Sequence, residues 1–222
     1  MLENFLTVLD QIYLWVAMVV EIALITSTLW QARRSKMPWL FYLLAGVYIS
    51  FFAGGLFVTM HYAIANEYPL IFSAADIGYI GMYCFLITID LALADAWGEA
   101  QKRAAQKYRR VSLLGPAVVI IFHIAYIIIY PDITLNNVLY CIPLAFLGYF
   151  ALLAYLVSRG TREQKPNLHS YHKTVLLFLC IELLMFLFSS IGIWLLTSTF
   201  WISLEVPIIL LFLTMKKGVD VP

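Results

Sequence analysis

The chain has 222 residues, of which 63% are hydrophobic and only 12% charged, with a formal net charge of +1. A water-soluble domain carries about 25% charged residues, so this composition excludes an ordinary soluble fold. The net charge is uninformative, but every basic cluster lies in a short loop beside an apolar segment, which argues against nucleic-acid binding.

The apolar residues occur in runs long enough to cross a bilayer, whose hydrocarbon core of roughly 30 Å needs about 20 helical residues. A helix satisfies its own backbone hydrogen bonds in lipid, and the runs lack the alternation of a membrane barrel. We therefore predict an all-α, polytopic membrane protein, a seven-transmembrane-helix bundle forming one domain over residues 1–222. The predicted helices lie near residues 6–30, 39–63, 74–97, 111–130, 138–158, 174–198 and 200–215.

The basic residues predict the orientation of these helices. All fourteen Lys and Arg residues fall in loops 31–38, 98–110 and 159–173 and in the C-terminal pair Lys216 and Lys217. Short loops biased in this way lie in the cytoplasm. The N-terminus is therefore predicted outside and the C-terminus in the cytoplasm, and we expect an integral, multi-pass protein of the plasma (cytoplasmic) membrane.

Two boundary features add detail. Segment 98–110 is rich in Ala, Gln, Lys and Arg, which predicts a helical extension of helix three into the cytoplasm. Phe200 and Trp201 follow the sixth predicted helix so closely that they indicate a very tight outer turn. Helix seven is then short, and Pro207 is expected to kink it.

Carboxylic acids inside the apolar segments are the informative anomaly. A charged carboxylate at bilayer centre costs roughly 2.5–3.5 kcal/mol, and no Lys or Arg lies in the segments to offset it. At about 1.5 Å per residue, Glu21, Asp90 and Glu182 fall in one layer, roughly 4–7 Å to the cytoplasmic side of the midplane. Glu205 falls in the outer half, near the level of His123.

Polar stripes run along two of the apolar helices. On helix three, Asp76, Tyr79, Tyr83 and Asp90 share one face, and on helix four His123 and Tyr126 do so. Such stripes normally face the bundle interior or a water-filled cavity. With helix one, these helices are expected to line a tyrosine-rich interior open to the outside, although protonated acids and tyrosines can also serve as packing groups.

From these features we predict that the protein binds or transports a small polar or cationic solute, or protons. The residues expected to bind the ligand or relay protons are Glu21, Asp90, Glu182, Glu205, Tyr79, Tyr83, His123 and Tyr126. The alternative is a non-catalytic seven-helix receptor, sensor or interaction subunit of a membrane complex. An intramembrane enzyme ranks third, because His61 and His123 supply too few ligands for a catalytic zinc. We expect no metal, no cofactor and no catalytic residue.

Small residues on helix two bear on the partners of the chain. Gly46, Ser50 and Gly54 are spaced four apart, a pattern that lets helices approach closely. The stripe predicts either packing within the monomer or the face of a homo-oligomer or of a partner membrane protein. Besides the lipid bilayer, the expected partner is the small-molecule or ion ligand.

One short stretch resembles a known family. Residues 86–96, LITIDLALADA, resemble part of the third helix of microbial rhodopsins. Retinal, however, needs a lysine amine for its Schiff base, and helix seven has no lysine before Lys216. The sequence therefore does not predict a retinal pigment, and it assigns no family.

Overall fold

The computed structural model describes residues 2–65, 73–129, 134–161, 168–190 and 194–220, and all regular structure in these ranges is helical. It contains eight α-helices and a 3-10 turn, Val111–Leu113, that leads into α5. The helices are α1 (Leu2–Ala32), α2 (Pro38–Ala65), α3 (Ala74–Asp95), α4 (Glu99–Tyr108), α5 (Leu114–Ile129), α6 (Thr134–Gly160), α7 (His169–Ser190) and α8 (Trp194–Asp220).

The all-helical class predicted from the sequence is confirmed. Within the described residues, five helical segments are long enough and apolar enough to cross a membrane. They belong to α1, α2, α3, α6 and the run 111–129 that includes α5. These five apolar helices indicate an integral membrane protein.

Six of the long helices close into a ring. Helix α1 packs on α2, α2 on α3, α3 on α6, α6 on α7, α7 on α8, and α8 returns to α1. Helix α5 packs mainly on α6, with a small contact to α7. Its exposed residues Ile121, Ile124 and Ile128 form one face and its buried His123 and Tyr126 another, as expected of a helix between lipid and protein.

Glycines allow helices α2 and α3 to pack very closely. A Cβ atom added at Gly78 of α3 would lie 2.7 Å from Gly54 N and Ser50 O of α2. A Cβ at Gly46 would lie 2.6 Å from the Phe85 ring of α3. The predicted small-residue stripe of α2 therefore packs against α3 within the monomer, and this face is covered.

The structure corrects the predicted boundaries near both ends of the sixth predicted helix. Helix α7 begins at His169 rather than near 174 and ends at Ser190 rather than near 198. Helix α8 begins at Trp194, so Phe200 and Trp201 lie within a helix of 27 residues rather than at a tight turn before a short one. The aromatic pair was a misleading boundary signal, because aromatic rings also occur inside apolar helices.

The predicted extension of helix three is a separate helix. Helix α3 ends at Asp95, and α4 begins after Gly98, whose extended backbone (φ −74°, ψ 174°) breaks the helical path. At the other end of α3, Ser73 and Asp76 form a capping box: the Ser73 amide donates to Asp76 Oδ2 at 2.6 Å. Asp76 is thus held in place by its own helix.

Candidate functional site

Carboxyl and phenol groups from five helices meet inside the helical ring. We call this set the acid–tyrosine cluster. Its members are Glu21 of α1, Asp76, Tyr79 and Tyr83 of α3, Tyr140 of α6, Glu182 of α7 and Glu205 of α8.

Tyr79 lies at the centre of the cluster. Its hydroxyl interacts electrostatically with four carboxyl groups, those of Glu21, Glu182, Asp76 and Glu205. The ring packs against Phe51 of α2, with centroids 5.8 Å apart. Tyr79 therefore faces the ring interior, where α1, α3, α7 and α8 each present an acid.

Two tyrosines bind the acids of the cluster across helices. The Tyr83 hydroxyl donates a hydrogen bond to Glu182 Oε1, which joins α3 to α7. The Tyr140 hydroxyl donates to Asp76 Oδ1 at 2.7 Å, which joins α6 to α3. The Tyr83 and Tyr140 rings lie edge to face, with centroids 6.1 Å apart. Tyr140 was not predicted as a site residue, because it lies near the start of an apolar helix that contains no acid.

Glu21 faces a position on α2 that has no side chain. A Cβ atom at Gly55 would lie 3.9 Å from Glu21 Oε1. Glu21 is 3% exposed and interacts electrostatically with Glu205 of α8. Within the described residues, neither Glu21 Oε2 nor Glu182 Oε2 has a hydrogen-bond partner. Each of these two buried acids therefore has a carboxyl oxygen that can accept a hydrogen bond from a ligand.

Asp90 lies at a different level from the cluster. Its Oδ1 atom is 3.1 Å from Nδ1 of His172 on α7, close enough for an ion pair although not aligned as a hydrogen bond. The hydroxyl of Tyr171 interacts electrostatically with Asp90 and with Tyr48 of α2. At a rise of about 1.5 Å per residue, His172 lies about 15 Å along α7 from Glu182. The structure thus gives Asp90 a partner of its own instead of uniting Glu21, Asp90 and Glu182 in one layer.

His172 is a residue that the sequence analysis missed. The predicted sixth helix began near 174, so His172 was assigned to a loop; in the structure it lies in the first turn of α7 and is 4% exposed. A boundary error of five residues thus hid the buried partner of Asp90. An available signal was the run Tyr171, His172, Val175, Phe178, whose spacing of three and four fits one helical face.

His123 and Tyr126 lie apart from the acid–tyrosine cluster. His123 is 1% exposed, its Nδ1 contacts Val119 O at 2.9 Å within α5, and its ring lies 5.7 Å from that of Phe186 on α7. Tyr126 and Tyr140 also contact the Phe186 ring, at 6.4 and 5.4 Å. Phe186 thus contacts both predicted residues of α5 and also Tyr140 of the cluster.

No metal centre or disulfide accompanies these groups in the part of the chain that is described. No three His, Cys, Asp or Glu side chains there are arranged to hold a metal ion. Cys84, Cys141 and Cys180 are free thiols.

Comparison with known proteins adds no family to this picture. No family model, no curated protein and no solved structure matches the chain.

Proposed function

We propose that the protein binds a small cationic or polar solute, or carries protons, through the acid–tyrosine cluster. The observation that supports this most directly is that the Tyr79 hydroxyl, inside an apolar helical ring, interacts electrostatically with four carboxyl groups. Carboxylates held close together repel one another, and a cation or a shared proton relieves that repulsion. Intramembrane acids of this kind mark ion, substrate or proton pathways in membrane proteins.

The solute would bind where Glu21 and Glu182 each keep one oxygen without a partner among the described residues. Tyr79 and Tyr83 would orient it, since a phenol can both donate and accept a hydrogen bond. Gly55 leaves room beside Glu21 because it has no side chain. Glu205 would add charge from α8. We do not place Asp90, His123 or Tyr126 at this binding point, because each packs elsewhere.

The proposal includes the membrane topology. We propose that α7 and α8 also cross the membrane, so that with the five apolar segments the protein has seven transmembrane helices. The N-terminus is then outside and the C-terminus in the cytoplasm. The support is the one-sided distribution of all fourteen Lys and Arg residues. This orientation puts α4, with its Lys and Arg residues, in the cytoplasm.

The competing proposal is a receptor or an interaction subunit with a static interior. It is favoured by the hydrogen bonds Tyr83 to Glu182 and Tyr140 to Asp76, because tyrosines bonded to protonated acids can simply hold helices together. The two proposals differ in whether Glu182 must ionise or exchange a solute.

The test replaces each acid by its amide, which keeps its shape and removes its charge. In the first assay, the purified protein is placed in liposomes that contain a pH dye, and a potassium gradient with valinomycin drives proton movement. In the second, the melting temperature of the protein in detergent is measured with Na⁺, guanidinium or choline at constant ionic strength. Wild type should show proton uptake or a rise in Tm with one of these cations. Glu21→Gln and Glu182→Gln should abolish the response, whereas the exposed control Glu99→Gln should retain it.

A second variant tests the space beside Glu21. Gly55→Leu would place bulk against the Glu21 carboxylate and should abolish the same response, whereas Gly55→Ala reaches only ordinary contact distance and should retain it. If all the amide variants fold and respond as wild type, the solute or proton function is wrong and the interaction-subunit proposal takes its place.

Topology has its own test. In a background without Cys84, Cys141 and Cys180, a cysteine at the exposed Ala65 should react with an impermeant maleimide applied to intact cells. A cysteine at the exposed Gln106 of α4 should react only after the membrane is opened. The reverse labelling pattern would overturn the orientation.

A further inference from the structure

A groove with a charged end and apolar walls runs between α5 and α6, on the outside of the helical ring. Its volume is about 760 Å³. Arg109 and Arg110 line one end, and the walls include Pro116, Ile120, Phe146 and Phe150. It is separate from the acid–tyrosine cluster and plays no part in the function proposed above.

Next to the residues that line the groove, α5 and α6 touch through their backbones. A Cβ atom at Gly115 of α5 would lie 2.2 Å from the carbonyl oxygen of Gly148 on α6. No side chain can enter the contact between Gly115 and Gly148. The larger side chains of α5 and α6 beside it line the groove. Such a furrow, open along one side, fits an extended flexible chain.

The charge of the groove is confined to its end. Arg109 and Arg110 are both exposed, and in the described ranges neither forms an ion pair with a carboxylate. A guanidinium binds phosphate oxygens with two parallel hydrogen bonds, and two adjacent ones suit a phosphate group carrying net negative charge.

The length of the groove matches half a membrane. Ten residues separate Arg110 from Ile120, about 15 Å along a helix, and a hydrocarbon core is roughly 30 Å thick. With the arginines at the membrane surface, the apolar walls extend to about the depth that one acyl chain occupies.

From charge, shape and length together, we propose that this groove binds an anionic phospholipid. The headgroup phosphate lies against Arg109 and Arg110, and an acyl chain lies along Pro116, Ile120 and Phe146. Basic pockets between transmembrane helices on the cytoplasmic side bind anionic headgroups in this manner. A zwitterionic lipid has the same acyl chains but no net charge to meet the arginines.

Native mass spectrometry of the detergent-purified full chain tests the proposal. The protein would be titrated separately with dioleoyl phosphatidylglycerol and with dioleoyl phosphatidylcholine. Wild type should prefer phosphatidylglycerol. The double variant Arg109→Gln/Arg110→Gln should lose about 25-fold in affinity for it, at about fivefold for each arginine, and approach the affinity for phosphatidylcholine.

Arg33 and Arg34 provide the matched control, since they are another adjacent arginine pair that does not line the groove. Arg33→Gln/Arg34→Gln should keep the preference for phosphatidylglycerol. Ile120→Trp should weaken both lipids, because the indole fills the path of the acyl chain while leaving the arginines in place.

Two results would overturn the site. One is an undiminished preference in Arg109→Gln/Arg110→Gln, which would place the lipid elsewhere. The other is an equal loss in both double variants, which would mean that the lipid responds to general surface charge. If the first double variant fails to fold, Ile120→Trp decides: unchanged lipid binding in that variant contradicts the proposal.

Discussion

Helices α3 and α7 meet at two levels that differ in the chemistry of the contact. At one level the carboxyl group of Asp90 faces the imidazole of His172 at 3.1 Å. At the other, Glu182 accepts a hydrogen bond from Tyr83. Both acids are buried, at 2% and 4% exposure, so the contrast does not come from access to water.

The partner decides what each acid can do. The imidazole of His172 gives Asp90 a nitrogen partner on the neighbouring helix, so that pair can remain closed. A phenol stays neutral near pH 7 and cannot compensate an ionised Glu182. Tyr79 interacts electrostatically with Glu182 and with three further carboxyl groups. We therefore interpret the Asp90–His172 pair as a structural clasp between α3 and α7, and Glu182 as the acid with capacity for a ligand.

The largest expected effect comes from opening the clasp. His172→Leu should lower the free energy of unfolding by about 3 kcal/mol, because it leaves Asp90 buried without its countercharge. The measurement is unfolding by SDS in mixed micelles, followed by circular dichroism. His169→Leu is the control: His169 lies three residues earlier, is half-buried and contacts Ser158, so it should cost less than about 1 kcal/mol.

Removing both members of the clasp sharpens this prediction. In Asp90→Leu/His172→Leu no buried charge remains, so much of the lost stability should return. A double variant as unstable as the sum of its two single variants would show that the groups do not act as a pair. It would also remove the reason for separating Asp90 from the proposed ligand site.

An intermediate effect is expected at the second level. Tyr83→Phe should destabilise the protein by about 1 kcal/mol, the size of an interhelical hydrogen bond in a membrane protein. Tyr42→Phe, at an exposed position, should leave the free energy of unfolding unchanged in the same titration. If Tyr83→Phe lowers the free energy of unfolding as much as His172→Leu does, the two contacts between α3 and α7 do not differ in the way described above.

The smallest effect is expected for Tyr140→Phe. Asp76 loses one donor at Oδ1 but keeps the Ser73 amide and hydroxyl at Oδ2, at 2.6 and 3.2 Å. The cost should be about 0.5 kcal/mol, at the low end for a hydrogen bond whose acceptor retains other donors. A cost above that of Tyr83→Phe would indicate that Asp76, rather than Glu182, is the acid most dependent on its tyrosine.

Sequence reasoning succeeded where the signal is local. Apolar runs of the right length predicted the long helices, and the stripe Asp76, Tyr79, Tyr83 and Asp90 identified the face of α3 that bears the polar contacts described above. It failed for partners on other helices. Tyr140 has no acid near it in sequence, and His172 lay outside the predicted helix, so neither was selected.

The depth estimate shows the same limit. Levels along straight helices placed Glu21, Asp90 and Glu182 together, but the level of Glu182 depended on the predicted start of its helix, which was five residues too late. Helix α2 contains no Asp, Glu, Lys or Arg, so its sequence does not indicate which neighbouring helix each of its faces meets.

The sequence by itself determined that this chain is a bundle of long helices, with acids inside its apolar runs and all its basic residues outside them, because length, hydropathy and charge are local quantities. Only the tertiary structure decided which helices are neighbours and which acid meets which partner. Those choices depend on close backbone contacts such as Gly115 with Gly148 and Gly54 with Gly78, which set the rotation and spacing of each helix. In lipid, where every apolar face is equally tolerated, packing at such contacts selects the arrangement.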